Sequence, residues 1–145
     1  MKKLVALSII SLVLTGCVNP GKASVQVDQL QSHRFVLENV DGKTLKSTSA
    51  QPEMAFSAQP GIGLLKNISV TGVMCNRFNG QGKLTEGELK VGNLAMTRKL
   101  CADQQLNTLD QALTDMLRKG AQVDLTQDQL TLATAERTLM FKRAE

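Results

Sequence analysis

Hydrophobic and polar residues alternate along much of the chain between residues 33 and 141. Because successive side chains of a strand point to opposite faces of a sheet, this period of two predicts half-buried strands. The segments that we assign to strands are 33–40, 53–57, 65–74, 88–91 and three runs that contain Val123 and Leu125, Leu130 and Leu132, and Leu139 and Phe141. Turn residues separate the strands about every eight to twelve positions, a pattern typical of an all-β barrel or sandwich.

Turn and loop chemistry marks the breaks between these strands. Asp41-Gly42 suits a tight hairpin turn, and the asparagines and glycines of residues 76–82 predict a loop. Residues 60–63, with one proline and two glycines, predict another loop that lacks the spacing of a phosphate-binding motif. Near the start of the domain, residues 27–31 suit a single helical turn capped by Asp28.

One segment, at about 103–119, departs from the alternation and predicts an amphipathic helix. Its hydrophobic residues recur at helical spacing, at Leu106, Leu109, Leu113, Met116 and Leu117, and Asn107, Asp110, Gln111, Asp115 and Arg118 occupy the other face. Asp103 suits the N-cap and Gly120 the C-terminal end. The apolar stripe is expected to pack on the β domain itself, with a groove for a partner helix as the alternative.

Residues 1–16 have the features of a bacterial signal peptide. Two lysines follow the initial methionine, and the apolar run 4–14 is shorter than the roughly 20 residues that cross a bilayer. The leader ends in Leu-Thr-Gly-Cys at positions 14–17, which resembles the lipobox of bacterial lipoproteins. The alternative is a secretory leader that is cut elsewhere and leaves Cys17 buried.

The lipobox resemblance implies cleavage before Cys17 and acylation of that cysteine. Two or three acyl chains anchor a protein stably to a membrane, whereas a single chain binds reversibly. Val18 stands where enteric lipoproteins retained at the inner membrane have an aspartate, so the resemblance implies the periplasmic face of the outer membrane. Residues 17–27 are then the lipidated N-terminus and tether, and the domain itself spans 28–145.

The charge balance and the aromatic content argue against a nucleic-acid-binding protein. The formal net charge is +4, but without Lys2 and Lys3 of the leader 15 basic residues face 13 acidic ones. Nucleic-acid binding uses a concentrated basic stripe and stacking aromatics, and the chain has four Phe and no Trp or Tyr. Between Lys66 and Lys99 there are six basic and two acidic residues. This excess indicates either a mildly positive face or an ordinary solvated surface.

Candidate catalytic and metal-binding residues are few. His33 is the single histidine, and no cluster of His and Cys has the spacing of a metal site. A nucleophilic Cys75 with His33 as base and Asn76 as orienting residue is conceivable, since such groups need to be close only in space. A surface or capping His33 is the simpler interpretation. We therefore expect no catalytic residue, no metal and no cofactor.

The cysteines give a more definite expectation. If Cys17 is acylated in the cell envelope, Cys75 and Cys101 remain in an oxidising compartment, where disulfides form. We therefore predict a Cys75–Cys101 disulfide, with two buried thiols as the alternative. Such a bond would tie together the strands on either side of the intervening segment.

Three blocks of the sequence resemble the signature blocks of the META domain family. They are Gly-Val-Met-Cys-Asn-Arg-Phe-Asn-Gly at 72–80, Leu-Ala-Met-Thr-Arg-Lys-Leu-Cys at 94–101 and Leu-Thr-Leu at 130–132. The whole chain is similar to the heat-shock lipoproteins of this family in enteric bacteria. The resemblance implies a mainly β (α+β) fold, a small curved antiparallel sheet or cracked β-barrel with the helix packed on it. It also implies an association with envelope stress and no established enzymatic activity.

The function expected from the residues and the resemblance is that of a non-catalytic lipoprotein, anchored to the outer membrane, which serves the stress response as a periplasmic binding or assembly module. The alternative is a pilot-type carrier whose barrel takes an acyl chain or a partner's helix. Arg77 and Arg98 are candidates for contact with a ligand or partner, because guanidinium groups suit carboxylates and phosphates. Asn76 and Thr97 either join that contact or satisfy backbone groups of the fold. The expected partners are the membrane and an envelope protein or lipid.

Overall fold

The computed structural model describes residues 24–46, 50–59 and 67–144. The predicted signal peptide, the predicted lipidation site Cys17, most of the predicted tether and the predicted loop 60–63 lie outside the described residues. The described helices are α1 (Val27–Leu30) and α2 (Gln104–Lys119). The described strands are β1 (Arg34–Val40), β2 (Lys43–Thr44), β3 (Glu53–Gln59), β4 (Asn67–Val73), β5 (Arg77–Thr85), β6 (Glu88–Lys90), β7 (Leu94–Met96), β8 (Ala121–Thr126), β9 (Gln129–Ala133) and β10 (Thr138–Ala144).

The strands form one antiparallel sheet that closes on itself. Its order is β10-β9-β8-β6-β5-β4-β3-β1, and β1 pairs with β10 to complete an eight-stranded barrel. The short strand β2 pairs with β1, and β7 pairs with the part of β5 that β6 leaves open. The mainly β fold and the strongly curved antiparallel sheet predicted from the sequence are confirmed.

Hydrophobic side chains from the strands and from α2 fill the barrel. Phe35 and Leu37 of β1 and Met54 and Phe56 of β3 are buried, and they alternate with exposed or half-buried neighbours. The helix adds Leu106, Leu109, Leu113, Met116 and Leu117 to the same core. Burial of each such side chain contributes roughly 1.5–3 kcal/mol. The apolar stripe of α2 therefore packs on its own domain, as the sequence pattern favoured.

The predicted loop at 76–82 is wrong, because most of this segment belongs to β5. Hydrophobic residues face the core near both ends of β5, and Gly80 and Gly82 occupy the inward positions between them. A β-carbon at Gly82 would collide with the backbone carbonyl of Lys90, and one at Gly80 would lie 2.9 Å from the Asn93 carbonyl oxygen. The glycines that suggested a loop allow the end of β6 and the chain that follows it to pass close to β5.

The ends of α2 agree with the sequence analysis. Asp103 is the N-cap, and its carboxylate accepts a hydrogen bond from the Gln105 N–H at 3.0 Å. Gly120 ends the helix with φ = +101° and donates its N–H to the Met116 carbonyl at 2.9 Å. A residue with a β-carbon would be strained in this conformation, which explains why glycine ends the helix.

The short helix α1 is present, but its predicted cap is wrong. Gln26 is the N-cap, and its N–H donates to Gln29 Oε1 at 2.8 Å. Asp28 lies inside the first turn, where a carboxylate is favourable beside the positive end of the helix dipole. The other predicted strands are present with small shifts of their ends, and the predicted C-terminal meander is β8 to β10.

Candidate functional site

A buried carboxylate links α2 to the start of β5. The helical pattern assigned Asp110 to the polar face, but this assignment is wrong, since the residue is 8% exposed. Its Oδ1 accepts hydrogen bonds from the backbone N–H groups of Cys75 (2.9 Å) and Asn76 (3.1 Å). Its Oδ2 accepts another from Asn76 Nδ2 at 2.7 Å. These donors replace the water that the carboxylate loses on burial.

The side chain of Asn76 connects this carboxylate to the segment that follows β7. Besides Asp110, Asn76 Nδ2 donates to the Lys99 carbonyl at 3.0 Å. Asn76 Oδ1 accepts hydrogen bonds from the Lys99 N–H (2.8 Å) and from Thr97 Oγ1 (2.9 Å). Asn76 is 6% exposed, and its amide oxygen and nitrogen are both occupied within the protein. Of the two roles left open by the sequence, its geometry therefore favours satisfying the fold.

The predicted disulfide joins Cys75 to Cys101, with their α-carbons 6.0 Å apart, within the usual range for such bonds. Cys101 is held further by Asn107 of α2, whose Oδ1 accepts from the Cys101 N–H (3.0 Å) and whose Nδ2 donates to the Cys101 carbonyl (2.9 Å). Because both sulfurs are bonded, Cys75 has no free thiol to act as a nucleophile. His33 lies on a separate part of the barrel, with its ring edge-on to Phe35 at 6.4 Å.

We call residues 97–101, between β7 and α2, loop 97–101. Its backbone is fixed from below by Asn76, by the disulfide and by a hydrogen bond from the Thr97 N–H to the Arg77 carbonyl at 3.0 Å. Its side chains behave differently, because Arg98, Lys99 and Leu100 are exposed, Leu100 to 86%. The neighbouring Arg77 is exposed as well. The structure therefore places the two candidate arginines on neighbouring segments whose backbones are joined by a hydrogen bond.

Sequence reasoning found only part of this arrangement. It identified both cysteines, Asn76 and the two arginines, but it missed Asp110 and Asn107 as internal partners. A polar residue beside the apolar stripe of a helix was the available signal for Asp110. That signal is weak, because neighbouring polar positions such as Asp115 have the same character in sequence and are exposed.

Two of the cavities formed by the described residues open at the surface. One of about 470 Å³ opens beside β1 and β2 and is lined in part by Glu38, Asn39 and Lys46. Another, of about 230 Å³, lies between α2 and the residues around Glu136. Acyl-chain sites are predominantly apolar, whereas charged side chains contribute to both of these cavities.

The described residues contain neither a candidate metal site nor a candidate membrane-spanning helix. No group of three or more His, Cys, Asp or Glu side chains there is arranged to hold a metal ion. Within the same ranges, neither helix is long and apolar enough to cross a membrane.

The barrel, the helix and the Cys75–Cys101 region belong to a known family. The family model described as META domain matches residues 28–145, a range that includes the disulfide, Asn76 and loop 97–101. The chain therefore belongs to the META domain family.

Individual relatives extend this similarity to the whole chain. The "Heat shock protein HslJ" of Escherichia coli (strain K12) is 50% identical over 145 residues, which cover 100% of this chain and 98% of that protein. A protein solved by NMR is 52% identical, with a TM-score of 0.67 over 81% of this chain and 94% of the other. Another NMR structure, from Burkholderia xenovorans, is 21% identical with a TM-score of 0.57 over 86% and 96%, and it shows the fold alone. The similarity to a heat shock protein supports a stress-related role.

Proposed function

We propose that this chain is a lipoprotein anchored to the periplasmic face of the outer membrane, and that it acts as a non-catalytic binding or assembly module in the stress response. The observation that supports a binding module is the structure of loop 97–101. Hydrogen bonds and a disulfide fix its backbone, while Arg98 and Leu100 extend into solvent beside Arg77. A rigid loop with exposed side chains contacts a partner without first losing conformational freedom.

Several features support an envelope location. The lipobox at 14–17 provides the acylation site at Cys17, and the Cys75–Cys101 disulfide suits the oxidising periplasm rather than the cytosol. From Cys17 to Ser24 an extended chain reaches at most about 25 Å, so a lipid at the N-terminus would keep the barrel close to its leaflet.

The module is favoured over the pilot-type carrier by the packing of the barrel. A carrier needs an apolar cavity for an acyl chain or helix. The corresponding space is occupied by core side chains such as Phe35, Met54 and Phe141 together with the apolar stripe of α2. The non-catalytic role is supported by the family, since META domain proteins are not a known enzyme family.

The anchoring is tested by intact-mass analysis and membrane fractionation of the protein expressed with its own leader. We expect the mature protein to begin at Cys17, to have the added mass of acyl chains and to separate with the outer membrane. The matched variant Cys17→Ser should lack the added mass and leave the outer-membrane fraction. An unmodified wild-type N-terminus, or wild-type protein in the cytosol, would contradict the proposal.

The stress-related role needs a separate measurement. Growth after a heat shock should be impaired in a strain without the gene and restored by the wild-type chain. The variant Cys17→Ser, expressed at the same level, should restore growth less well, because the module would no longer be held at the membrane. Equal growth of all three strains after the heat shock would contradict the role.

A further inference from the structure

The outward face of β5 has basic residues near both ends and no acidic residue. Arg77 and Lys83 are exposed on this face, as their even spacing along the strand requires. Lys90 of β6 lies directly opposite Lys83 in the antiparallel register. Like charges at opposite positions of neighbouring strands repel each other, so an anion between them would be favourable.

Loop 97–101 continues this basic surface beyond the Arg77 end of β5. The bond from the Thr97 N–H to the Arg77 carbonyl holds the loop beside the strand, and Arg98 and Lys99 add two more exposed cations. Leu100, at the end of these cations, is the most exposed large hydrophobic residue of the described ranges. We call this surface the basic face; it consists of Arg77, Lys83, Lys90, Arg98, Lys99 and Leu100.

The cations of the basic face lack partners of opposite charge within the part of the chain that the structure describes. The ion pairs there involve other cations, namely Arg34, Lys119, Arg137 and Arg143. The five cations around β5 therefore form a cluster without ion pairs in the described ranges, whereas Lys43, Lys46, Arg118 and Lys142, which also form none there, lie outside that cluster. Glu88 lies on the same outward side of β6 as Lys90 and lowers the charge at that end, but the five cations still leave a net positive surface that is complementary to an extended anionic one.

The N-terminal segment approaches the opposite end of the same strand. Gly87 lies in the turn that follows β5. The β-carbon of Ser24 is 3.9 Å from the position that a β-carbon of Gly87 would take. Loop 97–101 is at the other end, and β5 spans about 26 Å between them at roughly 3.3 Å per residue. A chain attached to a membrane through its N-terminus could therefore lie with β5 along the surface and touch it again at Leu100.

We infer that the basic face docks on a lipid leaflet that contains anionic phospholipids. The exposed cations contact the headgroup phosphates, and Leu100 enters the boundary between headgroups and acyl chains. An exposed apolar side chain at the end of a row of cations fits a deformable, negatively charged surface of this kind. The proposed anchor determines only which leaflet the basic face would meet. Binding of the face to anionic phospholipids does not depend on the anchor.

The chain contains no tryptophan, so Leu100→Trp introduces a single fluorophore at the end of the loop. The full chain is reconstituted into phosphatidylethanolamine vesicles with and without phosphatidylglycerol, with bromine on the acyl chains as a quencher. We expect blue-shifted emission and strong quenching when phosphatidylglycerol is present. The matched control is Gln111→Trp, at an exposed position of α2 that lines a cavity together with Arg137 and does not belong to the basic face. Its emission should be that of a solvated side chain in both vesicles.

The contribution of the cations is measured in the Leu100→Trp background. Each basic residue near an anionic surface contributes about 1 kcal/mol, so adding Arg98→Ala should lower the ratio of docked to undocked protein about fivefold. Adding Lys43→Ala, on an exposed lysine of β2, should leave the ratio unchanged. Circular dichroism spectra and unfolding midpoints of all variants verify that the barrel is intact.

Three results would overturn the inference. The first is Leu100→Trp quenching no stronger than that of Gln111→Trp, and the second is equal quenching with and without phosphatidylglycerol. The third is Leu100→Trp fluorescence that lipid does not quench, together with salt-sensitive binding of an acidic protein to the basic face. A protein that proves acylated and located at the outer membrane, yet gives any of these results, keeps the proposed function and loses only this inference.

Discussion

Two regions of the barrel are stabilised by different kinds of interaction. Around β10, ion pairs connect the strands and turns at the surface, as in Arg137 with Asp41 (3.3 Å) and Arg143 with Asp128 (2.9 Å). Around the start of β5 the connections lie underneath, in the Asn76–Asp110 hydrogen bonds and the Cys75–Cys101 disulfide. We refer to these two regions as the seam and the loop side.

On the loop side, the residues that stabilise the fold differ from the residues whose side chains face the solvent. Exposed ion pairs contribute little to stability, commonly 0–1 kcal/mol, and they occupy the charges that form them. Buried hydrogen bonds to a carboxylate and a covalent bond contribute more, and they leave the exposed side chains uncommitted. Arg77 and Arg98 are therefore free for external contact, whereas Arg137 and Arg143 of the seam are not.

The largest expected effect comes from breaking the disulfide. Its cysteines are 26 residues apart, and closing a loop of that length stabilises a fold by roughly 3 to 4 kcal/mol. Cys101→Ser and Cys75→Ser should each lower the free energy of unfolding by about that amount, as measured by urea denaturation. Equal stability of the wild type with and without reductant would contradict the role assigned to the bond.

Removal of the buried carboxylate should have the next largest effect. Asp110→Ala leaves the backbone N–H groups of Cys75 and Asn76 without their acceptor, which should cost about 2–4 kcal/mol. Asp115→Ala, at an exposed position of the same helix, is the control and should change stability by less than about 0.5 kcal/mol.

Hydrogen exchange of individual backbone amides shows which part of the barrel Asp110→Ala destabilises. The amides of Cys75 and Asn76 should exchange faster in this variant, because their acceptor is gone, while those of β10 keep their rates relative to global unfolding. Uniformly faster exchange across the barrel would instead mean that the loop side and the seam are one cooperative unit.

The smallest effects distinguish the surface charges themselves. Arg137→Ala removes a partly exposed ion pair and should cost at most about 1 kcal/mol. Lys83→Ala removes one of two facing lysines and should leave stability unchanged or raise it by a few tenths of a kcal/mol. Thermal unfolding at low and high salt measures both. A clear loss of stability for Lys83→Ala would show that this lysine has a structural partner after all.

Sequence patterns predicted most of the strands and the long helix, because these elements are determined largely by residues close together in the chain. Period-two alternation identified β1, β3, β4 and the C-terminal strands, and helical spacing with Asp103 and Gly120 at its ends identified α2. The same reasoning failed at β5, where glycines serve close packing with a neighbouring segment that the local sequence does not reveal. It also failed at Asp110, whose burial depends on the position of α2 over the start of β5.

By itself, the sequence determined the types and approximate limits of most elements, the pair of cysteines available for a disulfide and the resemblance to the META domain family. The tertiary structure decided which polar residues are internal and which are exposed. It also placed Lys90 opposite Lys83 through the β5–β6 register, and it set loop 97–101 beside Arg77. The physical reason is that hydrophobic periodicity acts over a few residues, whereas a charge's surroundings depend on strands and helices far away in the chain.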